Sequence, residues 1–364
     1  MFYISKYLSK YIITMTRNKY KPIIVKQIIV KQIILKPILT DEELLKKEGD
    51  LVSEADCNRI IVVDTDAYYN DDITGEKKLL FKFRKNVIPG EICSRAYNAL
   101  EYHAHNKNYN RGAAAGKLTL RKLPKYVGSI IKKDKFRVFY KTKEGETTKD
   151  NIGNTSSSNI AGYYDKPDRN AYHKRNKNTY KKTHKSTRES LQDITTDVHG
   201  IPMCRITKFT RDEPDKWNQV IPLINEVNKY YSILTPELYK NQLSRASSVP
   251  KFQIENTAYS TITVNYDWRT SIHKDKNDYD EGFGNLTVLE KSKSGHPECK
   301  GYTGGYIAFP KYGICIDMRQ TDALAMDVHQ YHANTEIKGE GRLSVVCYLR
   351  KNMIKCMKKQ TNNI

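Results

Sequence analysis

The sequence predicts an α+β fold whose C-terminal half is a barrel or jelly roll of short strands. Two observations carry this. From residue 257 onward, six or more short strands alternate, with Gly- or Pro-containing turns between them. Upstream of 257, short β-branched runs are interleaved with segments whose apolar residues recur at helical spacing. Only 38% of the 364 residues are hydrophobic and 28% are charged, so a packed core is expected in parts of the chain and not throughout.

In chain order, residues 23–37 read IIVKQ, IIVKQ, IILKP, a five-residue repeat that fits neither the helical nor the strand period. It reads as a low-complexity, β-prone extension, set aside from the fold. Thr40 followed by Asp41, Glu42 and Glu43 marks a helix start. The β-branched run 59–66 and the run 79–84 read as strands, and 91–103 as a helix through Ile92, Ala96, Ala99 and Leu100. Arg111 among small residues in 110–116 marks a tight turn or a place where backbone can approach an anion. Between 141 and 200 aliphatic residues nearly vanish. Within this stretch, 171–188 interleaves seven Lys/Arg with Tyr172 and Tyr180, which suits phosphate contact and base stacking, or a solvated insert. Order returns with a strand over 205–209 and a helix opened by Asp212-Glu213-Pro214-Asp215 that runs to about Tyr231. The resulting division is an extension (1–40), an N-terminal α/β part (41–140), a basic polar insert (141–200), a β core (201–352) and a basic tail (353–364).

The chain holds 62 Lys and Arg against 41 Asp and Glu, a net charge of +21. That excess points to a polyanionic partner, nucleic acid first, with a lysine-rich solvated surface as the alternative. Residues 201–350 are nearly neutral, with 19 basic and 18 acidic residues, so the excess lies elsewhere, chiefly in 1–40 and 171–188. No apolar run approaches the roughly 18 residues that span a bilayer, so no membrane partner is expected. Lys6, Lys10, Arg17 and Lys19 interrupt any signal-peptide core. The seven cysteines show no CxxC pair, which argues against a disulfide framework or zinc finger and for a reducing intracellular compartment.

The chemistry centres on His273-Lys274-Asp275. Residues i and i+2 of a strand share a face, so His273 and Asp275 can converge on one metal. A second histidine, His332 or His329, lies on a later strand. Two His and one carboxylate form the facial triad of non-haem Fe(II) oxygenases. Arg342 follows His332 by ten residues, and Arg342 and Ser344 share a strand face on which they can grip a carboxylate. Such an order inside short strands is the layout of a 2-oxoglutarate/Fe(II) dioxygenase on a double-stranded β-helix, flanked here by helices and the basic insert. His332 is favoured over His329 because it precedes Ala333-Asn334-Thr335; His329 then lines the pocket or is structural.

These residues, with the stretches 202–217, 252–290, 304–313, 322–337 and 342–350, resemble the TET/JBP family of nucleic-acid base dioxygenases, in particular its viral, phage and algal branch. Segments 110–118 and 156–165 also resemble that branch upstream of its catalytic core. The resemblance implies hydroxylation of the C5 methyl of 5-methylcytosine or thymine in DNA, with Fe(II), 2-oxoglutarate and O2. It implies His273, Asp275 and His332 as iron ligands and Arg342, with Ser344, as the 2-oxoglutarate grip. Asp278 stands where TET relatives carry an Asn near the base. A carboxylate there leans toward cytosine, whose amino group donates, unless Asp278 only caps a turn. Phe283, if not core, can stack on a flipped base. With His329 and Asn334, these complete the candidate substrate contacts. A monomer working on DNA, or on RNA, in the nucleus or a viral or host nucleic-acid compartment is the expected setting. The alternative is a hydroxylase of protein, RNA or a small molecule.

Overall fold

The computed structural model of the chain describes residues 7–10, 28–118, 125, 127–150, 154–167, 193–196 and 201–358. The basic tract 171–188 lies outside the described residues. The N-terminal part comprises β1 (Tyr7–Lys10), β2 (Ile28–Leu35), α1 (Asp41–Lys47), β3 (Arg59–Ile61), β4 (Thr65–Asn70), β5 (Lys77–Arg84) and α2 (Gly90–Ala104). Then come β6 (Val127–Lys133), β7 (Val138–Thr142), β8 (Thr147–Asp150), β9 (Ser158–Tyr164) and β10 (Arg205–Ile206). Three helices follow, α3 (Lys208–Asp212), α4 (Pro214–Leu234) and α5 (Pro236–Ser247). The C-terminal strands are β11 (Thr261–Tyr266), β12 (Gly284–Glu290), β13 (Tyr302–Gly304), β14 (Ile307–Phe309), β15 (Ile314–Ile316), β16 (Ala323–Met326), β17 (Ala333–Asn334), β18 (Ile337–Gly339) and β19 (Arg342–Tyr348).

The large sheet runs in the order β1-β2-β4-β5-β16-β12-β19-β11-β9-β10, and a smaller one in the order β17-β14-β15-β3. Every residue of β12 is buried, because the large sheet is covered on both faces. On one face, Leu343, Val345 and Cys347 of β19 and Ile262 and Val264 of β11 pack against α2 and α4. Both helices present a buried stripe at helical spacing, Cys93, Ala96, Tyr97 and Leu100 on α2 and Val220, Ile224, Val227 and Tyr231 on α4. On the other face, Leu286, Val288, Leu324 and Met326 meet Ile307, Phe309, Ile314 and Ile316 of the small sheet. Two facing sheets of short strands, closed by helices on one side, make a double-stranded β-helix. Leu100 is fully buried in the helix-side core. Leu100→Ala should therefore cost about 2–5 kcal/mol of stability, read as an earlier denaturant midpoint.

The helix signals hold. Thr40 and Glu43 form the reciprocal cap of α1, and Pro214 occupies the first turn of α4. Other segments differ from their sequence reading. Part of the repeat set aside as low complexity is β2, which pairs in parallel with β4; Ile33 and Leu35 enter the core while Ile34 faces out. The run 59–66 splits between the two sheets as β3 and the start of β4. The stretch 205–209 keeps only Arg205–Ile206 extended before α3 begins. The expected insert contributes β9, which lies between β11 and β10. The cysteine expectation is corrected: Cys57 pairs with Cys315 and Cys204 with Cys356, at Cα separations of 5.7 and 5.4 Å. The partners are 258 and 152 residues apart, so no local spacing could reveal them. Among the described residues, no helix is long and apolar enough to cross a membrane.

Candidate metal centre and substrate cavity

His273, Asp275 and His332 bring one ligand atom each to within 4.8 Å of one another. They converge because the segments after β11 and before β17 lie side by side. The His273 N–H donates to the His332 carbonyl and the His332 N–H returns the bond, both at 3.0 Å. The Asp275 N–H donates to the Val328 carbonyl. Asp275 lies 3.8 Å from His273 Nε2 through Oδ1 and 3.6 Å from His332 Nε2 through Oδ2. Each imidazole turns its other nitrogen to a backbone carbonyl, His273 Nδ1 to Ser271 at 2.7 Å and His332 Nδ1 to Gln330 at 2.9 Å. That fixes both Nε2 atoms toward the shared point, the arrangement that orients imidazole ligands at a metal. Two nitrogens and a carboxylate with an open side suit a divalent transition metal.

The electrostatics fit a cation. Burial pushes the His273 pKa down to about 4, which leaves a neutral imidazole with a free lone pair. Burial works against the Asp275 carboxylate, yet the neighbouring His332, His273 and Arg111 bring it below the usual range. Burial likewise opposes a charged His332, and its hydrogen bond to Asp275 outweighs that and raises it.

The triad sits in the wall of a cavity of about 360 Å³. Alternate residues of β19 run along the cavity: Ser344, Val346 and Tyr348 line it, and Arg350 beyond the strand continues the row. Beyond Ser344 on the same face lies Arg342, which is buried behind the wall. Its Nε and Nη2 have no hydrogen-bond partner. A buried guanidinium with unpartnered donors is a ready-made seat for a carboxylate. Gly305 allows it: a Cβ there would lie 2.9 Å from Arg342 Cδ and Nε, and its φ is +68°. Asp267 fixes the start of β19 by accepting from the Gly341 and Arg342 N–H groups. Asn265 Nδ2 donates to Ser344 Oγ at 3.1 Å, while Asn265 Oδ1 is buried without a partner.

The opposite end is built differently. Arg350 donates from Nε to Asp165 and lies 4.6 Å over the Tyr164 ring. Asp278 bridges to the Arg350 backbone. Burial, and then the nearby Asp275 charge, push Asp278 well above the usual carboxylate range. A carboxyl shifted in that direction is more readily protonated, and the protonated form can donate as well as accept. The Tyr348 hydroxyl lies 3.1 Å from Thr263 Oγ1. Arg111 lines the wall near Asp275, held by Nε and Nη2 on the Ser158 carbonyl at 3.0 and 2.8 Å.

Part of the chain is similar to known proteins. Residues 194–351 match the family model Tet_JBP, the oxygenase domain of the 2OGFeDO superfamily. The thymine dioxygenase JBP1 of Trypanosoma brucei brucei is 34% identical over 163 residues, 42% of this chain and 18% of the relative. The bifunctional helicase and thymine dioxygenase JBP2 of Trypanosoma cruzi is 33% identical over 159 residues, 42% of this chain and 13% of the relative. The chain thus spans less than a fifth of the length of these two relatives. A solved structure described as NgTET1 in complex with 5mC DNA aligns over 87% of this chain and 94% of its own, at 12% identity and a TM-score of 0.45.

Within the Tet_JBP stretch lie all nine residues singled out from sequence. His273, Asp275, His332, Ser344, Asp278 and Asn334 line the cavity. Asn334 accepts from the Thr270 hydroxyl at 2.7 Å. For Phe283 and His329 the structure takes the structural alternative that the sequence left open. Phe283 packs in the helix-side core, its N–H held by Tyr231 and Gln242. His329 lies outside the cavity wall, because residues 327–330 form a turn rather than a strand, and its Nδ1 lies 3.1 Å from Asp327. Sequence reading missed Arg350, Tyr348 and Tyr164 at the far end. Arg111 it noted only as a turn or anion candidate. Arg111 and Tyr164 lie outside the Tet_JBP stretch and join the cavity through the pairing of β9 with β11.

Proposed function

We propose that this chain is an Fe(II)- and 2-oxoglutarate-dependent dioxygenase that hydroxylates the C5 methyl group of a pyrimidine in DNA. One observation supports this above the others: a metal-type triad in a cavity wall stands between a buried guanidinium with two unpartnered donors, set behind the wall beyond Ser344, and an Arg/Asp/Tyr cluster at the other end. In this reading His273, Asp275 and His332 hold iron, and Arg342 with Ser344 holds the distal carboxylate of 2-oxoglutarate. When bound, iron with 2-oxoglutarate and O2 supplies the oxidation, yielding succinate, CO2 and a hydroxymethyl group. The chain's own part is positioning. Tyr348 and Tyr164 offer aromatic surface to a base that has left the stack. Arg350 and Asp278 meet its polar edge. The relatives named above are thymine dioxygenases, which makes thymine the first substrate to test beside 5-methylcytosine.

Chelation should abolish succinate formation and added Fe(II) should restore it. Duplex DNA should raise 2-oxoglutarate turnover above its basal rate. If DNA leaves turnover unchanged while RNA or a peptide raises it, the substrate class is wrong although the chemistry stands. Gly305→Ala tests the carboxylate end. A Cβ at positive φ costs about 1–2 kcal/mol and presses on Arg342. The KM for 2-oxoglutarate should rise several-fold with iron affinity unchanged.

A further inference from the structure

The three-stranded sheet β6-β7-β8 stands apart from both sheets of the β-helix. One face packs down, with Val127, Val138 and Tyr140 clustered with Leu118. Its position is fixed at the β6–β7 turn, where the Leu118 N–H donates to the Lys135 carbonyl at 2.9 Å. Phe136 and Arg137 of that turn line the cavity described above. The other face, which carries Phe139, points away from that cluster, and the sheet lies beside the cavity.

That sheet carries excess charge. Residues 127–148 hold six Lys/Arg and three Asp/Glu, whereas 201–350 are nearly balanced. Asp134 is engaged in the turn, accepting from the Phe136 and Arg137 N–H groups. Lys132 and Lys141 lie on the face of Phe139, opposite the buried Val138 and Tyr140; Lys133 is in register with Val138 at the start of the β6–β7 turn and Lys143 lies in the turn after β7, and all four are exposed. Among the described residues none of these four is paired with a carboxylate. Lysines elsewhere commonly are, as in Lys78–Asp71, Lys276–Glu48 and Lys291–Glu101. Lys132 lies 4.7 Å over the Phe139 ring, which holds it on the outer face. Ammonium groups without a carboxylate partner on a sheet beside a cavity are complementary to a phosphate backbone.

We propose that the exposed lysines of the β6–β8 sheet form a phosphate-binding surface that seats duplex DNA beside the cavity. The proposal rests on DNA being the substrate and adds where its backbone lies. Phosphate contact carries no sequence information, so this face sets affinity and register, while the cavity selects the base.

The test is the salt dependence of binding to a labelled, unmodified duplex, with the full chain loaded with Fe(II). For K132S/K133S/K141S/K143S, the slope of log Kd against log salt should fall in magnitude by about 3–4, since each lost phosphate contact removes about 0.9. DNA-independent succinate formation and the thermal midpoint should not change. K132R/K133R/K141R/K143R should keep the wild-type slope. A wild type that does not bind DNA overturns both this proposal and the DNA reading. A wild type that binds, with an unchanged slope in the serine variant, overturns this proposal alone. The same loss per charge from K216S/K229S/K240S on α4 and α5 assigns the effect to overall charge and also overturns it. A loss confined to RNA binding rejects DNA as the occupant.

Discussion

His332→Ala should abolish iron binding and DNA-stimulated succinate formation, while His329→Ala should leave iron affinity unchanged. The two histidines are three residues apart, yet only His332 brings Nε2 to Asp275, at 3.6 Å. Losing a ligand should weaken iron by more than the roughly 10–100-fold that follows loss of an outer-shell partner. His329 instead sits on Asp327. Removing it should shift stability by about 1 kcal/mol, the worth of an ordinary hydrogen bond. Iron titration of the two variants, followed by turnover, checks both halves. If His329→Ala also loses iron, the triad is misassigned.

Arg342→Met should raise the KM for 2-oxoglutarate by about 100-fold, the loss of charged hydrogen bonds amounting to about 2.7 kcal/mol. It should do so without destabilising the co-substrate-free protein. The reason lies in the unpartnered Nε and Nη2 of a fully buried side chain. A buried charge with two donors unsatisfied is unfavourable, so an apolar replacement of similar length should hold or raise the thermal midpoint. Opposite signs in co-substrate affinity and stability distinguish a binding arginine from a structural one. A lower midpoint with unchanged KM would reverse the assignment.

The parts of this site that were legible in the sequence are those encoded locally. His273 and Asp275 are two apart at a strand end, and Arg342 and Ser344 are two apart on a strand, so period two alone places each pair on one face. His332 was legible through its spacing to both. The far end was not, because Arg350, Asp165, Tyr164 and Arg111 meet only through β9, which pairs with β11 about a hundred residues later in the chain. No periodicity encodes that neighbour. His329 was misplaced for a related reason: the alternation rule assumes a strand, and Asp327 turns the chain there by accepting the His329 N–H. Phe283 stayed open between core and stacking because the helix that holds its N–H, α4, precedes it by about fifty residues. In the fold, β2 was hidden inside a repeat whose five-residue period masked the local alternation of Ile33, Ile34 and Leu35.

The functional reading reduces to whether this cavity oxidises a base methyl in DNA. Mass spectrometry of nucleosides, after incubation with Fe(II), 2-oxoglutarate and 18O2, decides it on thymine-only and 5-methylcytosine-containing duplexes in parallel. The expected result is a hydroxymethyl nucleoside carrying the label from at least one duplex, formed in step with succinate and absent with Asp275→Ala. Succinate formed with no oxidised nucleoside from either duplex would contradict it.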